Sequence, residues 1–249
     1  MSLFAIIGIF VIGALVIFRF AGDNTSENAI DPALDPDAVT TTVPGPEISA
    51  PPLGGEITGE TPCPEPDGSS ERVTGFAEAP PMCIDPTKTY VAEVSTTKGN
   101  FTIELDAAAA PETVNNFVVL SRYHFYDGVA FHRIIPGFVV QGGDAVGNPP
   151  GTGDPGYSID DELPTADPDT GNSYEIGSLA MANSGANTSG SQFFVVTGDQ
   201  GVALPPLYSK FGIVIEGLEV IQEIEAVGTA GAGTPTEAVT ITSTVITEQ

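Results

Sequence analysis

The chain has 249 residues and carries 33 acidic side chains against seven Lys and Arg, a formal net charge of −26. That surface repels nucleic acid and anionic lipid headgroups, so neither suits it as an electrostatic partner. The length allows one or two domains, and two cysteines with two histidines leave little from which to build a metal site.

Residues 3–18 are apolar without a break, and Phe20 and Ala21 extend the run past Arg19. That is close to the length a helix needs to cross ~30 Å of hydrocarbon. A cleaved signal peptide is the competing reading, but there is no basic leading region and no small residue three before a plausible cut. The expectation is an uncleaved transmembrane anchor over residues 1–21. Arg19, just past the span, favours a cytoplasmic C-terminal side.

From residue 22 to about residue 79 the chain is rich in Pro, Gly, Thr and acids, without apolar periodicity. Such a segment buries too little surface to offset its ordering entropy, so residues 22–84 are expected to be a disordered, self-repelling tether. Cys63 and Cys83 bracket a turn-rich stretch of it. A metal site needs more ligands and a catalytic thiol pair needs closer spacing, so the two are read as one disulfide in an oxidising compartment. This outweighs Arg19 and places the remainder outside the cytoplasm.

The globular part is expected over residues 85–249. Residues 90–97 alternate apolar and polar, Lys98-Gly99-Asn100 turns, and residues 101–105 answer as a hairpin. Pro111 starts a helix with Val114, Phe117, Val118 and Ser121 on one face. After a long Gly/Pro/Asp loop at 147–173 come further strands. A second helix carries Val220, Ile221, Ile224 and Val227 inward, and 239–247 is a β-branched terminal strand. Many short strands with two helices suit a closed antiparallel barrel.

Two stretches carry the chemistry. Residues 131–144 read Phe-His-Arg-Ile-Ile-Pro-Gly-Phe-Val-Val-Gln-Gly-Gly-Asp, a strand, turn and strand bearing Arg133 and Gln141 where a half-buried sheet would avoid them. A guanidinium there must be paired or aimed at something, and a structural salt bridge is the plainer reading. Residues 177–197 read Gly-Ser-Leu-Ala-Met-Ala-Asn-Ser-Gly-Ala-Asn-Thr-Ser-Gly-Ser-Gln-Phe-Phe-Val-Val-Thr and repeat the design. Together they resemble the cyclophilin family of peptidyl-prolyl cis/trans isomerases, over about residues 89–247.

The resemblance implies a mainly β fold, a closed eight-stranded antiparallel barrel capped by two helices. It also implies a membrane-anchored bacterial form that isomerises X-Pro bonds in unfolded or flexible polypeptides and so assists folding. No cofactor or metal is implied, and the chain is expected to act as a monomer. An X-Pro bond crosses a barrier of about 18–20 kcal/mol set by amide resonance, so a catalyst need only stabilise the twisted amide. By motif position, Arg133 would donate to the pyramidal proline nitrogen, with Gln141 and Phe138 completing the catalytic set. Val139, Phe194 and Leu204 would join Phe138 around the proline ring, although each alone reads as ordinary core. Ala182, Asn183, Gln192 and Tyr208 would bind the peptide along the groove. His132 and His124 are read as structural.

Three positions depart from the familiar pattern: Val139 for Met, Tyr208 for His, and Ala203 for a Trp that helps hold cyclosporin. The last implies weak drug binding. A binding or chaperone module without turnover is the alternative, and the presence of Arg133, Gln141 and Phe138 favours the enzyme.

Overall fold

The computed structural model describes Pro46, Ile48 and residues 50–249. The expected anchor at residues 1–21 and the first part of the expected tether lie outside the described residues. No helix among the described residues is long and apolar enough to cross a membrane. The chain runs β1 (Gly55–Ile57), β2 (Val73–Phe76), β3 (Tyr90–Thr96), β4 (Gly99–Leu105), α1 (Pro111–Arg122), β5 (Arg133–Ile135) and β6 (Val139–Gly142). It continues through β7 (Ser178–Met181), β8 (Phe193–Val196), α2 (Asp199–Val202), β9 (Lys210–Glu216), α3 (Leu218–Glu225) and β10 (Ile241–Glu248).

Strand β3 buries Tyr90, Ala92 and Val94, and β4 buries Phe101, Ile103 and Leu105. Successive side chains of a strand alternate faces, so each set lines one side. The antiparallel register then sets Val94 opposite Phe101 and Ala92 opposite Ile103. Eight strands form one antiparallel sheet in the order β10-β3-β4-β9-β7-β8-β6-β5. Inside its curl, Phe117 of α1 packs on Tyr126, Phe193 and Phe211 with ring centroids 5.2–5.6 Å apart.

The expected closed barrel is corrected to a curled sheet. The edge strands β10 and β5 do not pair; one bridge, Ala130 to Thr240, joins the segments that lead into them. The reason is that the outer edge of β5 is already occupied. Ile134 donates to the Gly233 carbonyl at 2.7 Å and accepts from Thr229 N–H at 3.1 Å, so the loop after α3 covers it. Helices α1 and α3 are the two expected from periodicity, and α2 adds a single turn after β8.

The expectation of a structureless tether reaching residue 84 is also corrected. Residues 50–84 form a strap on the sheet: β1 and β2 pair in parallel, and Val73, Phe76 and Ile84 enter the main core. Phe76 meets Tyr123, Tyr157 and Phe125 at centroid distances of 5.6, 6.1 and 6.4 Å. Polar side chains of the domain satisfy the strap's backbone. The Asn115 amide of α1 donates to Pro81 O at 2.9 Å and accepts from Cys83 N at 2.7 Å, while the Tyr123 hydroxyl donates to Pro62 O at 2.8 Å. Arg72 reaches back from the strap to the carbonyls of Asp127 and Phe125.

The Cys63–Cys83 disulfide is formed and spans a sequence separation of 20. Closing a loop of that size restricts the unfolded chain by about 3 kcal/mol. The disulfide thus closes a loop within the strap, while three apolar anchors hold it on the sheet.

Candidate active site

Strand register assembles the site. Arg133 on β5 lies directly opposite Gln141 on β6, Gln141 opposite Phe194 on β8, and Phe194 opposite Ala180 on β7. Directly opposed residues of an antiparallel pair share a face, so Arg133, Gln141 and Phe194 project together. Their sequence neighbours Ile134, Val140, Phe193 and Val195 point into the core. The Pro136-Gly137 turn between β5 and β6 needs left-handed backbone at Gly137, with φ of 74°, and the Glu225 carboxylate accepts the Gly137 N–H at 2.8 Å.

The Arg133 guanidinium sits 5.5 Å from the Phe138 ring centroid, and its Nη1 donates to Gln141 Oε1 at 3.1 Å. No carboxylate among the described residues lies within 4.0 Å of it, so the salt-bridge alternative does not hold. Gln141 Nε2 in turn donates to Gln192 Oε1 at 3.2 Å, and Gln192 Nε2 donates to the carbonyls of Gly151 and Gly153.

Below the guanidinium, Val139, Tyr174, Ala180, Phe194 and Val196 form a small apolar cluster separate from the main core. Phe138, Ala182, Leu204 and Tyr208 pack on it. Tyr208 meets Phe194 edge-on at 5.4 Å. Asn183 is anchored by its amide, which donates to Leu207 O at 2.9 Å.

Nine expected site residues, Arg133, Phe138, Val139, Gln141, Ala182, Asn183, Phe194, Leu204 and Tyr208, line one cleft of about 200 Å³. Gln192 lies in an adjoining polar cleft of about 360 Å³ that shares Gln141, Ala182 and Asn183. A larger cleft of about 690 Å³ lies elsewhere, between the loops before α1 and before β7. Its two lysines, Lys88 and Lys210, are paired with Glu248 and Glu175, and none of the expected site residues lines it. Size therefore does not select the site; the chemistry does.

Sequence reasoning missed Tyr174, which sat unnoticed at the end of the long loop. Its hydroxyl donates to Tyr208 O at 2.8 Å and accepts from Tyr208 N at 3.1 Å, fixing the rim residue's backbone. Ala203 is exposed at the end of α2, next to Leu204 of the cleft. His132 lies against Gly151, and burial pulls its pKa below the usual 6.5 despite the opposing pull of Asp144. His124 bridges Asp127 and the Gly68 carbonyl of the strap, away from the cleft.

Together these residues can do one kind of chemistry: hold an apolar ring in a pocket beside a fixed cationic donor. Comparison with known proteins agrees. The sequence profile of the family described as "Cyclophilin type peptidyl-prolyl cis-trans isomerase/CLD" matches residues 91–246. A peptidyl-prolyl cis-trans isomerase of Arabidopsis thaliana is 40% identical over 158 residues, covering 61% of this chain and 91% of that protein. One from Helicobacter pylori is 43% identical over 143 residues, covering 55% and 82%. The crystal structure of a cyclophilin type peptidyl-prolyl cis-trans isomerase of Cryptosporidium parvum superposes with a TM-score of 0.56 at 29% identity. It covers 65% of this chain and 99% of that one, and a second structure of it was determined in the presence of the dipeptide Ala-Pro. This chain belongs to the cyclophilin-type peptidyl-prolyl cis-trans isomerases.

Proposed function

We propose that Arg133 is the catalytic donor, that Phe138, Val139, Phe194 and Leu204 hold the proline ring, and that Gln141, Ala182, Asn183, Gln192 and Tyr208 bind the flanking peptide. One observation carries this assignment. The guanidinium is held at the lip of an apolar pocket by a neutral amide, with no carboxylate within 4.0 Å among the described residues. In a planar X-Pro bond the nitrogen lone pair is tied up in resonance and accepts nothing. Twisting frees it, so a donor aimed at that nitrogen stabilises the twisted state over both planar ones. Arg suits the task because its fork has a fixed direction and never loses its charge.

The substrates are Pro-containing segments of unfolded or flexible chains, which the protein acts on as a monomer, and no cofactor takes part. The isomerase domain is held at a membrane by residues 3–18 and faces an oxidising compartment. The apolar run and the Cys63–Cys83 bond support that placement. Membrane fractionation with thiol labelling of unreduced cells checks it, and two reactive thiols would refute it.

The site is tested with Arg133→Ala in a protease-coupled assay on a Pro-containing tetrapeptide. Losing a preorganised donor in a dry site typically costs about 2.7–4 kcal/mol, so turnover should fall by roughly 100- to 1000-fold with the fold intact. Arg133→Lys should recover little, because a point charge lacks the fork. Near-normal turnover in Arg133→Ala would show the group to be structural.

A further inference from the structure

Asp144 ends the first motif just after β6 and is 6% exposed. It does not line the cleft. Its Oδ1 accepts the backbone N–H of Val146 at 3.0 Å and of Gly147 at 2.7 Å. Its Oδ2 accepts the N–H of Gly151 at 2.6 Å and of Gly153 at 2.9 Å. A carboxylate has about four lone-pair sites, so these four bonds fill it. Burial pushes the carboxyl up, but the N–H groups of Gly153, Gly147, Val146 and Gly151 together outweigh it and hold the group below its usual range. The loop is shaped around this charge, since a Cβ on Gly147 or Gly153 would collide with the carboxylate.

The bonds continue outward. The carbonyls of Gly151 and Gly153 both accept from Gln192 Nε2, at 3.1 and 2.9 Å. That fixes which end of the Gln192 amide faces the loop, and its Oε1 is left to accept from Gln141 Nε2 at 3.2 Å. Gln141 then presents Oε1, which accepts from Arg133 Nη1 at 3.1 Å. Each amide has one donating and one accepting end, so polarity passes along the row. Reversing Gln192 would set two donors against each other and free Gln141 to turn from Arg133.

We propose that Asp144 is a positioning residue for isomerisation: by fixing Gly151 and Gly153 it sets the direction of Gln192, hence of Gln141 and of the Arg133 guanidinium. The inference rests on Arg133 being the catalytic donor. Asp144 itself touches no substrate and donates nothing. Its effect is to keep the donor aligned, and misplacement of a catalytic group by about 1 Å costs about 10²-fold.

The test uses the full chain. Asp144→Asn keeps the shape but turns an NH₂ toward two of the four N–H groups. The kcat for a Pro-containing tetrapeptide should fall about 10- to 100-fold, with KM changed less than about threefold because the proline pocket is untouched. The side-chain amide NMR signals of Gln141 and Gln192 should shift, which a role confined to the loop's stability would not produce. Gln192→Leu cuts the same row one link on and should lower kcat similarly. In that background, Asp144→Asn should cost less than about twofold more, whereas independent effects would multiply.

If Asp144→Asn does not fold, Gln192→Leu decides alone, and normal kcat in that variant overturns the proposal. Normal kcat in Asp144→Asn, or losses that multiply, overturn it as well. Arg133→Ala run in parallel separates the readings: if that variant is inactive while Asp144→Asn is normal, only the positioning role fails.

Discussion

Phe76→Ala tests whether the strap belongs to the folded domain. Phe76 is 3% exposed and meets three aromatic rings, Tyr123, Phe125 and Tyr157, at 5.6–6.4 Å. Truncating a buried Phe to Ala typically costs about 3–5 kcal/mol, from lost transfer energy plus the cavity left behind. For a domain of this size each kcal/mol lowers Tm by about 2–4 °C, so a drop of roughly 6–20 °C is expected by calorimetry or circular dichroism. The backbone bond from Phe76 N–H to Pro155 O, at 2.9 Å, survives the substitution, so the loss reports the side chain. Trypsin supplies the local readout, because Arg72 is the single Lys or Arg in residues 50–84 and its guanidinium is bonded to the carbonyls of Asp127 and Phe125. Cleavage after Arg72 should accelerate in the variant well before global unfolding. A Tm within about 2 °C of the parent, with Arg72 still protected, would refute the reasoning and return the strap to the status of a tether.

The remaining prediction concerns pH. His132 has its folded pKa below the usual 6.5 because it is buried, so below pH 6.5 the unfolded chain binds a proton that the folded chain refuses. Stability should therefore be flat above that pH and fall as pH drops from 6.5 toward the lowered value. His132→Gln should flatten that part of the curve in urea melts between pH 7.5 and 5.5, a range safely above the pI near 4.1. An unchanged slope in the variant would show that His132 is not the group responsible.

Strands β3 and β4 were legible from period-2 alternation. The candidate site residues came instead from the resemblance of two stretches to a known family, since β7 and β8 are buried along their whole length and show no alternation. Strand β3 alternates buried and less buried residues along its whole length, and the Pro136-Gly137 turn fixes the register that brings Arg133 opposite Gln141. A guanidinium and an amide on such strands are conspicuous because the pattern calls for neutral, packable side chains at neighbouring positions. The strap was not legible. Its three anchors, Val73, Phe76 and Ile84, are spread among turn residues with no period, and their burial comes from a core built by residues met later in the chain, such as Tyr123, Phe125 and Tyr157 around Phe76. The available signal was on α1: Asn115 is a buried amide there, and its backbone partners, Pro81 O and Cys83 N, are supplied by the strap. The open sheet was illegible for a related reason, since the β5 edge is taken by irregular backbone at 229–233 that carries no strand pattern.

The charge balance gives the arrangement around Arg133 its sense. Among the described residues Lys88, Lys98 and Lys210 pair with carboxylates whereas no arginine does, and a glutamine holds Arg133. At an effective dielectric of about 20, a carboxylate 4 Å away would attract the guanidinium by about 4 kcal/mol. That equals or exceeds the roughly 2.7–4 kcal/mol a preorganised donor supplies to a transition state. If Arg133 is the donor proposed above, a salt bridge would largely cancel its field at the proline nitrogen and turn its donors toward the acid. The Gln141 amide fixes direction without cancelling charge, and the Phe138 ring, 5.5 Å from the guanidinium carbon, adds a cation–π contact. The acid of the same motif, Asp144, is not within 4.0 Å of the guanidinium, and its two oxygens accept four backbone N–H groups instead. On the proposed roles, its negative charge would orient the site through neutral amides and leave the Arg133 guanidinium available for the twisted bond.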